Sequence, residues 1–373
     1  MKFIISSTTL LKSLQTISGV ITTNNTLPIL ENFLFQGREE DILITASDQE
    51  TTMSIAVTPS MMEDPDNITI PARILLETLK TYHETPLTFL IDTQSYSVEI
   101  SADNAKFKLA GQSAEEYPRI PMLEEPATVT VKGELLNRAI IKTIFATGND
   151  EIRPQMAGVF FQFTPEEATF VATDAHKLVR YRRTDAKASE TMSFIMPKKP
   201  LNQLKNSVPS DDTDVVIEYN VTNARFSFLN VVLVCRLIEG RYPNYEAVIP
   251  RDNPNVMTIE KSILLAAIRR VSIYGNQSTH QIRFRIAGQM LSLNAEDIDF
   301  QNEALEELTC SYDGEDLEIG FNSKFMLEML ANVEVPRIRL EMSSASRAGL
   351  IIPEVEEPGD EDLLMLVMPV MLN

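Results

Sequence analysis

The sequence predicts an α+β protein made of three repeats of one unit, in which two helices are backed by antiparallel strands. Three kinds of segment recur in the same order along the 373 residues, and each kind recurs about 125 residues further on. The length agrees, because a chain of this size usually divides into two or three domains. Chance similarity among apolar runs is the alternative to a true repeat.

The first kind of segment is a short strand that leads into a leucine-rich helix. The strands are "MKFII", "ATVTVK" and "NVMTIE", and the helices contain "TTLLKSL", "GELLNRAI" and "SILLAAI". The leading leucines of these helices, Leu10, Leu135 and Leu264, lie 125 and 129 residues apart. Each copy therefore predicts a strand followed by a helix.

The second kind of segment is a hairpin of two alternating strands around a short turn. Its copies span 31–50, 157–176 and 281–299, and they end in Ala-Ser-Asp, Ala-Thr-Asp and Ala-Glu-Asp. The aspartates, Asp48, Asp174 and Asp297, lie 126 and 123 residues apart. This pattern is typical of antiparallel pairing.

The third kind of segment switches from strand to helix at Pro71, Pro197 and Asn322, which lie 126 and 125 residues apart. Proline suits the first turn of a helix, since its missing N–H is not needed there. The six helices predicted in this way span 8–19, 71–82, 133–147, 197–207, 261–275 and 323–332. Pro-rich polar stretches near residues 125 and 252 predict the boundaries of three domains at 1–125, 126–252 and 253–373.

Charge is divided unevenly between the predicted helices and the rest of the chain. The net charge is -20, yet the six helices hold twelve Lys and Arg against three Glu, so they carry +9 and the remainder carries -29. Binding to DNA requires cations that displace counterions from phosphates, and total acidity alone argues against it. The segregation instead predicts a helical surface that faces an anion. The alternative is that short amphipathic helices simply favour Lys.

Several classes of protein are excluded by what the sequence lacks. No apolar stretch reaches 18 residues and no signal peptide is recognisable, so a cytoplasmic protein without a membrane partner is expected. Cys235 and Cys310 show no C-x-x-C spacing and predict two reduced thiols. Three scattered histidines, with no G-x-S-x-G and no P-loop, predict neither catalytic residues, nor a metal, nor a cofactor.

The chain ends in the apolar segment "DLLMLVMPVMLN". "DLLMLV" predicts a last strand buried on both faces. Pro369 has no N–H to donate, so the tail beyond Val367 should leave the sheet. Two interpretations of that tail stay open, a core segment and the wall of a surface groove.

The whole chain, in order, resembles the family of the bacterial DNA polymerase III β subunit, the sliding clamp. The resemblance rests on "MKF", "LLKSLQTISGVITTNNTLPILENFLF", "VATDAHKLV", "GRYPNYEAVIP", "EIGFNSKFMLEML" and "VMPVML". It implies three DNA-clamp domains per chain and two chains closed head to tail into a ring, with helices lining the hole and sheets outside. It also implies the partners: duplex DNA encircled without sequence preference, the polymerase III catalytic subunit, the clamp loader, and other replication and repair proteins that bind through short peptides.

The resemblance further implies three sets of site residues. A groove that receives partner peptides, such as those with a Gln followed by Leu-Phe, would be lined by Met156, Thr173, His176, Lys177, Leu178, Pro243, Val248, Asn322, Phe325, Leu366, Met368, Pro369, Val370, Met371 and Leu372. DNA would be contacted by Asn24, Arg73, Lys80, Arg138, Lys142, Arg153, Lys198, Lys199, Lys205, Arg269 and Arg270. The interface between two chains would contain Phe107, Leu109, Ile273 and Tyr274.

The sequence departs from the family pattern in the groove and in one DNA-contacting loop. Ala175 and Ala247 stand where relatives often have Gly and Arg, and the chain ends in Met371-Leu372-Asn373, so the peptide preference is left open. Asn24 replaces a basic residue that is common in relatives. A triplicated scaffold that binds acidic proteins without threading DNA is the alternative function.

Overall fold

The computed structural model of the chain describes residues 1–22, 27–102, 104–149, 152–357 and 359–372. Within these ranges the helices are α1 (Ser7–Ser18), α2 (Ala72–Leu79), α3 (Gly133–Thr143), α4 (Lys198–Ser207), α5 (Lys261–Val271) and α6 (Ser323–Ala331). All six predicted helices are confirmed, and each begins within one residue of its predicted start. The predictions for α2, α3 and α5 ran too long: α2 ends at Leu79, and 3₁₀ turns at Ile144–Ala146 and Ser272–Tyr274 follow α3 and α5.

The strands follow the predicted repeats. The first holds β1 (Lys2–Ser6), β2 (Asn32–Gly37), β3 (Ile42–Ser47), β4 (Thr51–Val57), β5 (Met61–Glu63), β6 (Asn67–Pro71), β7 (Pro86–Asp92), β8 (Ser97–Ala102) and β9 (Ala105–Ala110). The second holds β10 (Ala127–Lys132), β11 (Gly158–Phe163), β12 (Ala168–Thr173), β13 (Lys177–Arg183), β14 (Met192–Pro197), β15 (Asp214–Tyr219), β16 (Asn223–Phe228) and β17 (Val231–Arg236). The third holds β18 (Asn255–Glu260), β19 (Gln281–Ala287), β20 (Met290–Asp297), β21 (Asn302–Thr309), β22 (Ser311–Asp313), β23 (Leu317–Asn322), β24 (Arg337–Met342), β25 (Gly349–Pro353) and β26 (Glu361–Val367).

The first compact unit consists of Met1–Arg138 and Lys199–Leu237. It contains a five-stranded antiparallel sheet in the order β5-β1-β7-β8-β9 and an eight-stranded one in the order β10-β15-β16-β17-β4-β3-β2-β6. Helix α1 packs against α2 and against β1, β3 and β4. Its apolar stripe of Leu10, Leu14 and Ile17 is fully buried, which is the amphipathic pattern that makes this segment a helix.

The second compact unit consists of Ala139–Lys198 and Ile238–Asn373. Its nine-stranded sheet has the order β14-β11-β12-β13-β26-β25-β24-β18-β22, and its four-stranded sheet has the order β21-β20-β19-β23. Strands of the second and third predicted repeats pair through β13 and β26. The compact units therefore do not coincide with the repeats, and the domain boundaries stay a prediction.

The repeated aspartates have a structural role in the turns after the hairpins. Asp174 Oδ1 accepts the N–H groups of the residues two and three positions on, at 2.9 and 2.8 Å. Asp48 makes the same pair of hydrogen bonds, and Asp297 makes the first of them. Gln49 and Ala175 follow in the left-handed region, with φ of 79° and 75°. A short carboxylate side chain stabilises such turns. This structural role explains why an aspartate recurs after each hairpin, and no catalytic role is needed to explain it.

Strand β26 confirms the predicted closing strand, since Leu363 to Val367 are all buried between β13 and β25. Cys235 and Cys310 are buried free thiols, and burial raises the pKa of Cys235 to about 12. No helix within the described residues has the length and hydropathy needed to cross a membrane.

Candidate functional site

The floor of the candidate groove is a row of side chains on one face of the nine-stranded sheet. Leu178 on β13 pairs with Thr173 on β12 and with Leu366 on β26, and paired residues project to the same face. Leu178 and Leu366 are each 2% exposed and pack in one apolar cluster with Tyr242. These two leucines are thus a supporting floor. We call Thr173, Leu178 and Leu366 the groove floor.

The first wall, which we call the loop wall, is the loop Tyr242–Ile249. The Tyr242 ring stacks on Phe160 at 4.9 Å, and its hydroxyl donates to the Val171 carbonyl at 3.3 Å. Pro243 is half-buried, and Val248 is 56% exposed. The wall is therefore anchored at its base and presents apolar atoms at its free end.

The second wall, which we call the helix wall, is formed by the start of α6 and the β12–β13 turn. Asn322 caps α6, because its Oδ1 accepts the N–H groups of Lys324 and Phe325 at 2.9 and 3.4 Å. The Phe325 ring then stacks on the exposed His176 ring at a centroid distance of 6.2 Å. This contact brings together the two aromatic residues predicted for the groove.

Lys177 lies beneath the helix wall. Its side chain is 6% exposed, and its Nζ lies 4.8 Å from the centre of the Phe325 ring, where a cation is attracted to the aromatic face. Nζ also pairs with Glu328 on α6 and lies 3.6 Å from Asp174 Oδ2. Lys177 therefore orients Phe325, and its charge is already balanced by two carboxylates.

The tail, Met368–Leu372, crosses from the nine-stranded sheet to the four-stranded sheet. The Met368 N–H donates to the His176 carbonyl at 2.8 Å, and the Val370 N–H donates to the Gly320 carbonyl at 2.8 Å. A Cβ added to Gly320 would lie 2.7 Å from Leu372 Cδ2, so the tail packs closely there. The backbone of the tail is thus anchored, as a core segment would be.

The side chains of the tail, by contrast, suit a surface. Met368 is 40% exposed and Met371 is 71% exposed, whereas Pro369, Val370 and Leu372 are half-buried. Flexible thioethers on a fixed backbone can adapt to different apolar ligands. The backbone contacts of the tail are those of a core segment, whereas the exposure of its two methionines fits a groove wall, and the groove assignment stays a prediction.

Met156 lies at the edge of the β12–β13 turn. It belongs to the 3₁₀ turn Pro154–Ala157, and its carbonyl accepts the Gly148 N–H at 2.8 Å. Gly148 in turn packs against Asp174, since its Cβ position would lie 3.6 Å from the Asp174 Cα. All predicted groove residues lie in the second compact unit.

The predicted DNA-contacting side chains differ in how available they are. Exposed ones are Arg73, Lys80, Arg153, Arg269 and Arg270, and half-buried ones are Arg138, Lys198, Lys199 and Lys205. Some already pair with acids: Arg73 with Glu77 at 3.1 Å, Arg270 with Glu306, and Lys199 with Asp48. The more exposed pairs of Arg73 and Arg270 contribute little and can open for a phosphate, whereas the Asp48 carboxylate that pairs with Lys199 is only 9% exposed. Asn24 lies outside the described residues.

The assignment of Lys142 to the DNA-contacting set is wrong. Its side chain is 3% exposed, its Nζ donates to the Asn332 carbonyl at 2.7 Å, and it pairs with Glu334 at 2.8 Å. Lys261 Nζ donates to the adjacent Val333 carbonyl at 2.7 Å. Both lysines thus cap the C-terminal end of α6, where cations are favourable.

The predicted interface residues lie on exposed apolar surface. Phe107 on β9 is 37% exposed, and Ile273 and Tyr274 after α5 are 69% and 47% exposed, while Leu109 is half-buried. Strand β9 is the last strand of the five-stranded sheet, and β21 is the last of the four-stranded sheet. Each of these strands has one edge without a partner strand among the described residues.

Sequence reasoning missed the residues that hold the walls in place. Glu246 in the loop wall pairs with Arg182 and Arg180, and Glu328 pairs with Lys177. The signal for the two arginines was their alternation with Leu178 along β13, which places all three on one face. The signal for Glu328 was its place three residues after Phe325 on the helix.

Comparison with protein-family models gives a match in each third of the chain. Residues 1–121, 130–244 and 246–371 match the N-terminal, central and C-terminal domains of the DNA polymerase III beta subunit. The chain is 28% identical to the beta sliding clamp of Vibrio cholerae over 100% of both chains. It is also 28% identical to the beta sliding clamp of Bacillus subtilis over 99% of both chains.

Solved structures give the same likeness. A DNA polymerase III subunit beta from Pseudomonas aeruginosa superposes with a TM-score of 0.94 at 26% identity and 100% coverage of both chains. A sliding clamp from the same organism, bound to griselimycin, gives a TM-score of 0.94 at 25% identity and the same coverage. The fold is also that of the beta subunit from Thermotoga maritima, with a TM-score of 0.91 at 23% identity over 100% of both chains.

Proposed function

Because this chain belongs to the DNA polymerase III β subunit family, the sliding clamps that act as processivity factors, we propose that two copies close head to tail into a ring around duplex DNA. The ring tethers the polymerase catalytic subunit, the clamp loader and repair proteins through peptides that bind the groove described above. The chain acts in the cytoplasm and contributes no catalytic step. The observation that carries this proposal is the match of all three thirds of the chain to the three domains of one clamp family.

The positive charge on the helices is evidence for a central hole that binds DNA without sequence specificity. Exposed cations such as Lys80 and Arg269 are of the kind that contact phosphates, which orient a protein on duplex without specifying a base. The acidic remainder of the chain repels DNA from other surfaces, since net charge far from zero acts over a distance. Sliding follows, because every register along the duplex has nearly the same free energy.

Threading can be tested without a clamp loader. We expect the protein to slide onto the free ends of a linear duplex and to be trapped when the duplex is then ligated into a circle. The trapped protein should elute with the circle in gel filtration and leave it after a single restriction cut. DNA ligated before the protein is added is the control. Equal retention on pre-closed circles, or retention after cutting, would show that DNA binds without threading, and no retention at all would favour the scaffold that binds acidic proteins.

The outer edges of β9 and β21, which have no partner strand in the part of the chain that the structure describes, support ring closure. An edge strand offers a row of free N–H and C=O groups that a second chain can pair with. Exposed Lys106 and Lys108 lie on β9, whereas exposed Glu303 and Glu307 lie on β21, so the two edges have complementary charge. Pairing β9 of one chain with β21 of the next would also bury the exposed Phe107.

We expect Phe107→Asp to convert the dimer into monomers at micromolar concentration. A carboxylate at the apolar centre of the interface would be desolvated without a partner, and this costs several kcal/mol. Sedimentation velocity measures the result. Leu90→Asp is the matched control, since Leu90 is 51% exposed on β7 of the same sheet and lies away from the edge. A dimeric Phe107→Asp variant, or a monomeric wild type, would contradict the proposed interface.

A further inference from the structure

We propose that Arg182, assisted by Arg180, is a positioning residue of the peptide groove, because its ion pair with Glu246 holds the loop wall at a fixed distance from the groove floor. The inference rests on the proposed function of the groove. It assigns a role in peptide affinity to residues that lie outside the set of peptide contacts.

The geometry joins one strand to one loop. Arg182 Nη2 donates to Glu246 Oε1 at 2.9 Å, and Arg180 Nη1 lies 3.5 Å from the same oxygen. Arg182 also pairs with Glu167 at 3.3 Å, and Arg180 donates to Asp362 at 3.0 Å. The side chain of Arg180 is only 11% exposed and that of Arg182 is 28% exposed, so the half-exposed carboxylate of Glu246 is held by two cations that are largely shielded from solvent.

The loop wall needs such a connection. The N–H groups of Tyr245, Ala247 and Val248 donate to carbonyl groups within the loop, at 2.8, 3.3 and 3.2 Å. These bonds fix the internal shape of the loop, and Tyr245 and Ile249 pack against the cluster that contains Leu178 and Leu366. Apolar packing of this kind is non-directional, and the ion pair of Glu246 adds a directional contact next to the exposed Val248.

Strand alternation links this anchor to the floor. Leu178, Arg180 and Arg182 occupy alternate positions on β13 and therefore project to one face of the sheet. Leu178 supplies the floor at one end, and the two arginines hold the loop wall further along the same strand. The strand β13 thus holds both Leu178 and, through the two arginines, the loop that carries Val248. An apolar peptide side chain that binds between them meets surfaces that are already in place, which lowers the entropic cost of ordering them on binding.

A double-mutant cycle tests the inference with a fluorescent, uncharged peptide that carries Gln followed by Leu-Phe. Glu246→Gln should weaken binding about fivefold to tenfold and Arg182→Gln by less, because Arg180 still lies 3.5 Å from the Glu246 carboxylate in that variant. The double variant should be no weaker than Glu246→Gln alone, since that substitution already removes the pairs with both arginines. Added NaCl should weaken peptide binding to the wild type but should have little effect on binding to the Glu246→Gln and double variants, because the screened interaction is already absent in them. If the pair were needed only for folding, peptide binding to the variants and to the wild type would depend on salt in the same way.

The matched control is Arg183→Gln. Arg183 lies on the opposite face of β13 and pairs with Asp185 and Glu361, so its loss should leave peptide affinity unchanged. Glu246 is 41% exposed and Gln is nearly isosteric, so the Glu246→Gln variant should fold, and thermal melting checks this. Wild-type affinity in Glu246→Gln, or single effects that multiply in the double variant, would overturn the inference. A wild type that fails to bind the peptide would refute the groove itself.

Discussion

Removing residues 368–373 is expected to abolish peptide binding and to leave the protein folded. The deletion begins after Val367, the last residue of β26, so the ladder between β13, β26 and β25 remains complete. It removes the exposed thioethers of Met368 and Met371 and the Leu372 side chain over Gly320. Binding of a Leu-Phe peptide, which we place near micromolar, or about -8 kcal/mol, should weaken more than 100-fold.

The stability cost of the same deletion should be small. It removes the backbone hydrogen bonds from Met368 to His176 and from Val370 to Gly320, and each such bond contributes about 0.5–1.5 kcal/mol. For a unit of this size we expect the melting temperature to fall by only several degrees, at about 2–4 °C for each kcal/mol. Differential scanning calorimetry and fluorescence anisotropy on one sample decide between the alternatives. A collapse of the melting temperature would make the tail part of the core, and unchanged affinity would place the peptide elsewhere.

Single substitutions refine this result. Met368→Ala and Leu372→Ala should each weaken peptide binding by about 1–2 kcal/mol, the scale of a truncated apolar contact. Met290→Ala is the matched control, because Met290 is 41% exposed against 40% for Met368 and lies on β20, in the other sheet of the same unit. Its peptide affinity should equal that of the wild type.

The sequence predicted the fold well because its signals are local. Leu10, Leu135 and Leu264 repeat the apolar position of each first helix, and all three are buried. The ends of helices were less predictable. Both α3 and α5 pass into 3₁₀ turns, and this change depends on how Ile144 and Ser272 meet the rest of the structure.

The groove was predictable only in part, because it joins segments that are distant in the chain. Sequence motifs carried over from relatives include His176, Phe325 and the tail, and His176 contacts both of the others in the structure. Motifs could not identify Glu246 and Arg182, since their pairing depends on a loop that folds against a strand 64 residues away. The burial of individual side chains could not be predicted from the motifs either. Lys177 and Leu178 were assigned to the groove, and the structure places both beneath its surface.

Lys142 illustrates the same limit for charge. Counting cations on a helix treats every lysine as exposed, whereas Lys142 caps α6 from 190 residues away. The net excess of cations on the helices remains, but the number of phosphate contacts must be smaller than the number of basic residues. Substitutions that test DNA contact should therefore be made at basic residues whose side chains solvent can reach.

Replacing Lys80, Lys205 and Arg269 by Gln is expected to weaken binding to duplex DNA without regard to its sequence. The side chains of Lys80 and Arg269 are exposed and that of Lys205 is half-buried, so all three can reach a phosphate. Each lost contact should lower the slope of log K against log [salt] by about 0.9, because one fewer counterion is released. Affinity measured by fluorescence anisotropy over a range of NaCl concentrations gives this slope directly.

The control variant removes an equal number of positive charges, three, from strands and turns instead of helices. Arg38, Lys132 and Arg285 are exposed cations outside the helices, and replacing them by Gln changes the net charge of the chain equally. If the helices line the hole, the control variant should keep the wild-type slope, since its cations would lie outside the ring and away from phosphates. If net charge alone governs binding, the two triple variants should lose affinity equally, and a loss confined to one DNA sequence would mean that base contacts are made. Either of those two results would count against a phosphate-lined hole, whereas a loss restricted to the helix variant would locate the DNA on the helical surface.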